Sequence, residues 1–390
     1  MGPRSRAALA AVLVVVLVAA VAGCGDGPRR NVMADRGGPV AAAAAPPDLG
    51  PELRRLVERG PAPGGAVLVV SGGRGRFAAA GVSDLATGRP VGRADHFRAG
   101  SLTKTFLATV VLQLVAEGRL GLDDPVEEHL PGLLRGPGHG GRTVTIRQLL
   151  DHTSGLYDYT RDPALARRLF GAGFAAHRFD SHTPRGLVRT ALAHPPVFGP
   201  PGGGWAYSNT DYTVLGLVVE RVTGRGYAAE ARRRIIEPLG LTGTSFPGTR
   251  PTLPRPHGRG YAAGAAGGAP RDVTEFDPSS AGAAGELVST LDDLARFHRA
   301  LLGGELLPPS GLARMRDTGP SRGRYGMGLF PVTLPCGRVW GHNGTINGSS
   351  VLLVGSASGD RVLVHRLNHT AAPDRAAERA LLRRAFCGGG

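Results

Sequence analysis

The sequence predicts a mixed α/β fold (α+β), with one sheet assembled from both ends of the chain and a mostly helical lobe beside it. Three observations carry this expectation: two strand patterns early in the chain, a helix-rich middle with long Gly/Pro loops, and three late strand patterns followed by a helix. At 390 residues the chain is long enough for one large domain or two ordinary ones, with a substantial core.

Leu49–Arg59 reads as a short amphipathic helix, and Gly65–Ser71 with Arg76–Gly81 as a hairpin turning at Gly72-Gly73. The chain is organised around Gly100–Gly118, a run with no internal Gly or Pro. Its apolar residues (Leu102, Phe106, Leu107, Val110, Val111, Leu114, Val115) follow the 3.6-residue period of a buried helix. Ser101 stands at the helix start, where a hydroxyl can satisfy a free N–H. Lys104 follows one turn later on the same face. Tyr212–Val222 and Tyr227–Ile236 are the clearest helices of the middle, which extends to about Ala284, while Pro254–Pro270 is too rich in Gly and Pro to assign. Thr290–Leu302 opens with a capping-box pattern, Thr290-x-x-Asp293. Strands are expected at Arg338–Gly341, Ser349–Val354 and Arg361–Leu367, and a helix at Pro373–Phe386. A site would lie in the cleft between lobe and sheet.

Apolar content of 42% and charged content of 20% are those of a soluble globular protein. The net charge of +15 comes from arginines spread along the chain, and aromatics make up only 5%. Nucleic-acid binding would want clustered cations with interleaved aromatics, so no nucleic-acid partner is expected.

Residues 1–23 read as a signal peptide: Arg4 and Arg6 precede an apolar run, Ala7–Ala22, too short for a convincing membrane span. The run ends Val21-Ala22-Gly23-Cys24, which resembles a bacterial lipoprotein cleavage box with Cys24 as the lipid-anchor residue. An ordinary signal peptide cut after Ala20-Val21-Ala22 is the alternative. Either way the protein is expected to be exported, on the outer face of the cell membrane through the lipid alone or secreted. Residues 24–48 read as a flexible linker, lipid-anchored if Cys24 is acylated, and 49–387 as the folded domain. Cys336 and Cys387 then remain as an even pair, a disulfide in an oxidising compartment or two unpaired thiols.

Lys104 is the only lysine among 46 Lys+Arg residues. Arginine is effectively always protonated, whereas a desolvated lysine can lose its proton and act as a base. Two further patterns follow Ser101-Leu102-Thr103-Lys104: Tyr207-Ser208-Asn209 in a Gly-rich turn before a helix, and His342-Asn343-Gly344 at a strand end. By composition a Tyr two before an Asn is expected only ~0.1 times by chance. A His two before a Gly is expected ~2 times, so the last triplet draws its weight from its strand context. No His-Glu-x-x-His or paired-Cys pattern suggests a metal, and no cofactor is implied.

Together with FRAGSLTKTF, TIRQLLDHTSGL, PPGGGWAYSNTDYTVLGLVVERVTG, AGELVSTLDDLARF and YGMGL, these motifs resemble the active-site-serine family of penicillin-binding proteins, class C β-lactamases and D-alanyl-D-alanine carboxypeptidases. The resemblance covers roughly residues 50–386. It implies a β-lactamase/DD-peptidase-like fold, a mainly antiparallel sheet flanked by helices plus an all-helical lobe. Ser101 would be the nucleophile and Lys104 its base, with a pKa lowered from ~10.4 toward 7. Tyr207 would pass a proton to the leaving group, and Asn209 would bind a substrate amide. His342, where most relatives carry Lys, would donate a hydrogen bond and polarise Tyr207. The backbone N–H groups of Ser101 and of Thr345, just past Gly344, would form the oxyanion hole. The implied activity is a D-alanyl-D-alanine carboxypeptidase acting on peptidoglycan stem peptides or a small acyl substrate, with β-lactams as inhibitors. The alternative is a β-lactamase-fold carboxylesterase or an amidase on uncharged termini, because Gly328–Leu334 has no cation for a terminal carboxylate. A β-lactamase and a non-catalytic envelope lipoprotein are further alternatives, and a monomer is expected.

Overall fold

Six strands make a wholly antiparallel sheet whose spatial order mixes the two chain ends. In chain order they are β1 (Gly64–Ser71), β2 (Arg74–Gly81), β3 (Phe330–Leu334), β4 (Gly337–Ile346), β5 (Ser349–Gly355) and β6 (Arg361–Leu367), and they lie side by side as β2-β1-β6-β5-β4-β3. The computed structural model describes residues 45–136, 138–264 and 268–388. The signal segment, Cys24 and the linker up to residue 44 lie outside the described residues.

Alternation along β1 assigns the two faces. Val67 and Val69 point into a cluster with Leu53, Leu56, Leu363 and Leu381. These belong to β6 and to helices α1 (Gly50–Glu58) and α5 (Arg375–Cys387), which cover the outer face. Ala66 and Leu68 point the opposite way, into the main core with Phe106, Phe297, Leu353 and Val364. That inner layer is built on α2 (Leu102–Ala116) and α4 (Leu291–Leu302), whose Phe106 and Phe297 rings stack with centroids 3.7 Å apart.

Helix α2 is buried on every side, because α3 (Asn209–Thr223) and the short helices of the lobe cover what the sheet does not. Helix α3 starts three residues earlier than its apolar pattern suggests, and the 227–236 helix relaxes into a π turn over Arg232–Ile236. Strand β4 runs through His342-Asn343-Gly344 to Ile346, so this triplet lies inside a strand and not at its end. Among the described residues no helix is long and apolar enough to cross a membrane.

Cys336, in the β3–β4 turn, is bonded to Cys387 at the end of α5, with Cα atoms 5.4 Å apart. The bond closes a loop of sequence separation 51. Reducing it is expected to lower stability by about 2–4 kcal/mol. Urea unfolding with and without dithiothreitol measures the difference.

Candidate active site

The chain reaches Ser101 from the two-residue strand Phe97–Arg98 through Ala99 and Gly100, the latter at φ 55°. A side chain on Gly100 would put its Cβ 2.9 Å from the Thr345 nitrogen. One on Gly344 would lie 3.1 Å from the Ser101 nitrogen. Two glycines facing one another thus let β4 press against the turn before α2. The N–H groups of Ser101 and Thr345 come to share one small space.

Ser101 occupies the cap position of α2, but its hydroxyl makes no capping bond. Instead it accepts from Lys104 Nζ at 3.1 Å. The ammonium also donates to Asn209 Oδ1 at 2.8 Å and to the Ala284 carbonyl at 2.6 Å. Lys104 is fully buried. Burial pulls its pKa from the usual lysine range to about 7, against the attraction of Asp158 and Asp211. At neutral pH a large fraction of Lys104 is therefore an unprotonated amine, able to take the Ser101 proton.

Tyr207 packs over this amine, with Nζ 4.9 Å from the ring centroid. Its hydroxyl has no hydrogen-bond partner among the described residues. Burial raises the phenol's pKa, and the Ser101 hydroxyl pulls it partly back. The phenol is left available to whatever occupies the cleft.

Asn209 and His342 differ from expectation. The Asn209 amide is turned inward at both ends: its oxygen meets Lys104, and its nitrogen donates to Asp158 Oδ2 at 3.0 Å. In this arrangement it aligns the base, and it also lines the cleft beside Ser101. His342 makes no hydrogen bond to Tyr207, their ring centroids being 6.4 Å apart. Its Nδ1–H donates to the Asn343 carbonyl at 2.5 Å, and its Nε2 accepts from Tyr325 O–H at 2.8 Å. Burial, reinforced by nearby Lys104, lowers its pKa to about 3, so the imidazole is neutral.

The cleft beside Ser101 has a volume of about 590 Å³, open mouth included. Its walls are largely apolar (Phe170, Phe174, Phe276, Ile346), with Arg168, Arg178, His177, Asp180 and Asp277 among the polar groups, Asp180 accepting from His177 Nδ1–H at 2.8 Å. Among the described residues one trio has metal-ligand spacing, Asp124, Glu128 and His129, with no second feature pointing to an ion.

The family described as Beta-lactamase matches this chain over residues 53–386. The chain belongs to the β-lactamase family. It is a serine hydrolase of the group that also holds esterases and penicillin-binding proteins. Esterase EstB of Burkholderia gladioli is 32% identical over 71% of this chain and 81% of its own length. Penicillin-binding protein 4 of Amycolatopsis lactamdurans is 34% identical over 63% of this chain and 61% of its own. Among solved structures, a D-stereospecific amidohydrolase from Streptomyces sp. superposes with a TM-score of 0.81 at 44% identity, covering 88% of this chain and all of that one.

This member of the family surrounds the catalytic constellation with residues that motif spacing alone does not single out. Asp158 is buried, takes the Asn209 amide and accepts from Thr160 Oγ1 at 2.8 Å. Behind Tyr207, the fully buried His152 donates from Nδ1 to Asp211 Oδ2 at 2.8 Å, and Ser154 Oγ donates to Asp211 Oδ1 at 2.5 Å. The Asp151–Gly155 loop also anchors the Tyr207 turn: Trp205 Nε1 donates to the Asp151 carbonyl at 3.0 Å, and Ala206 N–H to that of His152 at 3.1 Å. The sequence signal was the run Asp151-His152-Thr153-Ser154-Gly155, whose polar residues belong to no helix pattern.

Proposed function

We propose that this chain hydrolyses amide bonds of small D-configured substrates, above all D-amino acid amides and short peptides with an uncharged leaving group. The observation that carries this choice is the state of His342. A carboxypeptidase site needs a positive charge beside the oxyanion hole for the terminal carboxylate. Here that strand position holds a neutral imidazole with both nitrogens engaged. The neighbouring β3, FPVTL, contains no cation. The apolar part of the cleft suits a bulky acyl side chain. The likeness to the Streptomyces D-stereospecific amidohydrolase supports the same choice.

In this mechanism Lys104 takes the Ser101 proton as Oγ attacks the carbonyl carbon. The developing oxyanion is held by the N–H groups of Ser101 and Thr345. Tyr207 delivers a proton to the leaving nitrogen as the C–N bond breaks. Water then attacks the Ser101 ester, giving its proton back through Tyr207 or Lys104, and the acid departs.

Turnover of D- and L-phenylalanine amide, a D-Ala-D-Ala peptide, a p-nitrophenyl ester and nitrocefin tests the assignment. Hydrolysis of the D-amide with the L-amide left intact is expected. Faster release of D-alanine from the dipeptide terminus would make the protein a carboxypeptidase, and ester hydrolysis without amide turnover an esterase. Tyr207→Phe is expected to lower kcat/KM by about 10²–10⁴-fold. Its melting temperature should stay near that of the parent, because the deleted hydroxyl has no partner to lose. Circular-dichroism melts alongside the kinetics check both halves.

A further inference from the structure

Asp158 is a buried carboxylate that takes no part in the steps above, yet it stands one side chain from the base. It follows the Asp151–Gly155 loop and caps the three-residue turn Tyr159–Arg161. Asn209, the first residue of α3, lies between it and Lys104 of α2. The amide joins the two: Lys104 Nζ donates to Asn209 Oδ1 at 2.8 Å, and Asn209 Nδ2 donates to Asp158 Oδ2 at 3.0 Å. Three segments of the chain thus meet in a run of hydrogen bonds that ends at the Ser101 hydroxyl.

The bonds on Asp158 identify its charge. Its Oδ1 accepts from the Thr160 N–H at 3.0 Å and from Thr160 Oγ1 at 2.8 Å. Thr160 Oγ1 in turn accepts from the Asn209 amide at 3.4 Å, which leaves its own proton for Asp158. Every partner is a donor, the pattern of an ionised carboxylate. Burial raises the Asp158 pKa, and these hydrogen bonds, with the Lys104 charge, draw it back down.

Other groups face the same amine. The rings of Tyr207 and Tyr212 have centroids 4.9 and 5.6 Å from Nζ, and burial raises both phenol pKa values, so neither is charged at neutral pH. Burial lowers the pKa of His152 and of His342, which leaves both imidazoles neutral. Asp211 is a second carboxylate, but its hydrogen bonds come from His152 and Ser154, neither of which bonds the amine. Among the described residues, Asp158 is therefore the one carboxylate joined to Lys104 through a shared partner.

An anion held at this distance opposes what burial does to the amine. Desolvation drives the lysine toward its neutral form, and the two carboxylates pull the other way. We propose that Asp158 is a positioning residue for Lys104: through Asn209 its carboxylate turns the amide oxygen toward the amine and sets how firmly that amine holds a proton. The proposal rests on Lys104 being the base of the mechanism above, and on no particular choice of substrate.

Carbon-13 magnetic resonance of the full chain tests this without a substrate. Lys104 is the only lysine, so labelling lysine at Cε gives one side-chain signal whose shift follows protonation of Nζ. In the parent its midpoint is expected at about 7. Asp158→Asn keeps an oxygen for Thr160 and Asn209 and removes the charge. Its midpoint is expected about one pH unit lower, with the rising limb of kcat/KM displaced by the same amount. Asp158→Ser, also uncharged, supplies the same reading if the amide is not accommodated. A loss of rate with the midpoint in place would overturn the proposal, leaving Asp158 as packing and Lys104 as base. A midpoint shifted upward would overturn it too. A parent amine that stays charged through neutral pH would remove the base itself, and this proposal with it.

Discussion

Lys104→Arg is expected to lower kcat/KM by about 10³–10⁴-fold while Ser101 stays in place. The substitution keeps the charge and removes the ability to lose it. A guanidinium stays protonated at any working pH, so it cannot receive the Ser101 proton. It must also fit a fully buried slot whose walls are the Ala284 carbonyl, Asn209 and Ser101 itself, all within 3.1 Å of Nζ. The pH profile supplies an independent check. Burial lowers the Lys104 pKa to about 7, and the unprotonated form is the active base. Activity of the parent protein should therefore rise with pH through about 7 and level off above it. The variant's residual rate should lack that limb. His342, neutral down to about 3, adds no second limb in the same range. A variant retaining full activity, or a parent profile flat between acid and neutral pH, would remove Lys104 from the role of base.

The second large effect is expected from Gly344→Ala. A methyl group there would sit 1.9 Å from the Ala99 carbonyl oxygen and 3.1 Å from the Ser101 nitrogen. Neither side can yield easily. Ala99 N–H is bonded to Leu287 at 2.7 Å, and β4 is held in register between β3 and β5. Strand and turn must separate, which widens the gap between the two oxyanion donors. Loss of one such donor costs about 10²–10³-fold in kcat, and that drop is expected with KM far less affected. A matched loss in both parameters, or none, would show that the two N–H groups do not act together. Far-ultraviolet circular dichroism distinguishes a displaced strand from an unfolded chain.

The helix carrying Ser101 and Lys104 was legible because its apolar residues recur at a helical period without interruption, and because a lone lysine stands out against arginine. Tyr207 was legible for a similar reason, a rare pairing in a Gly-rich turn. Asn209 and His342 were found at the right place, but their partners were not. Asp158 and Tyr325 meet them only through folding of segments far apart in sequence. His152 and Asp211 escaped notice because 59 residues separate them and neither lies in a periodic pattern. Pairing, burial and satisfaction of polar atoms are properties of three-dimensional neighbours, and one-dimensional spacing carries them only where an element is regular.

Strand β1 lies between β2 and β6, and Asn368, just past β6, clasps the first residue of β1 across 304 positions at 2.8 Å. A growing polypeptide thus carries an open β edge for most of its synthesis, with no later segment yet made to cover it. Closing so large a loop is entropically slow. The nucleophile-bearing helix thus takes part of its cover from strands that lie more than two hundred residues further along the chain.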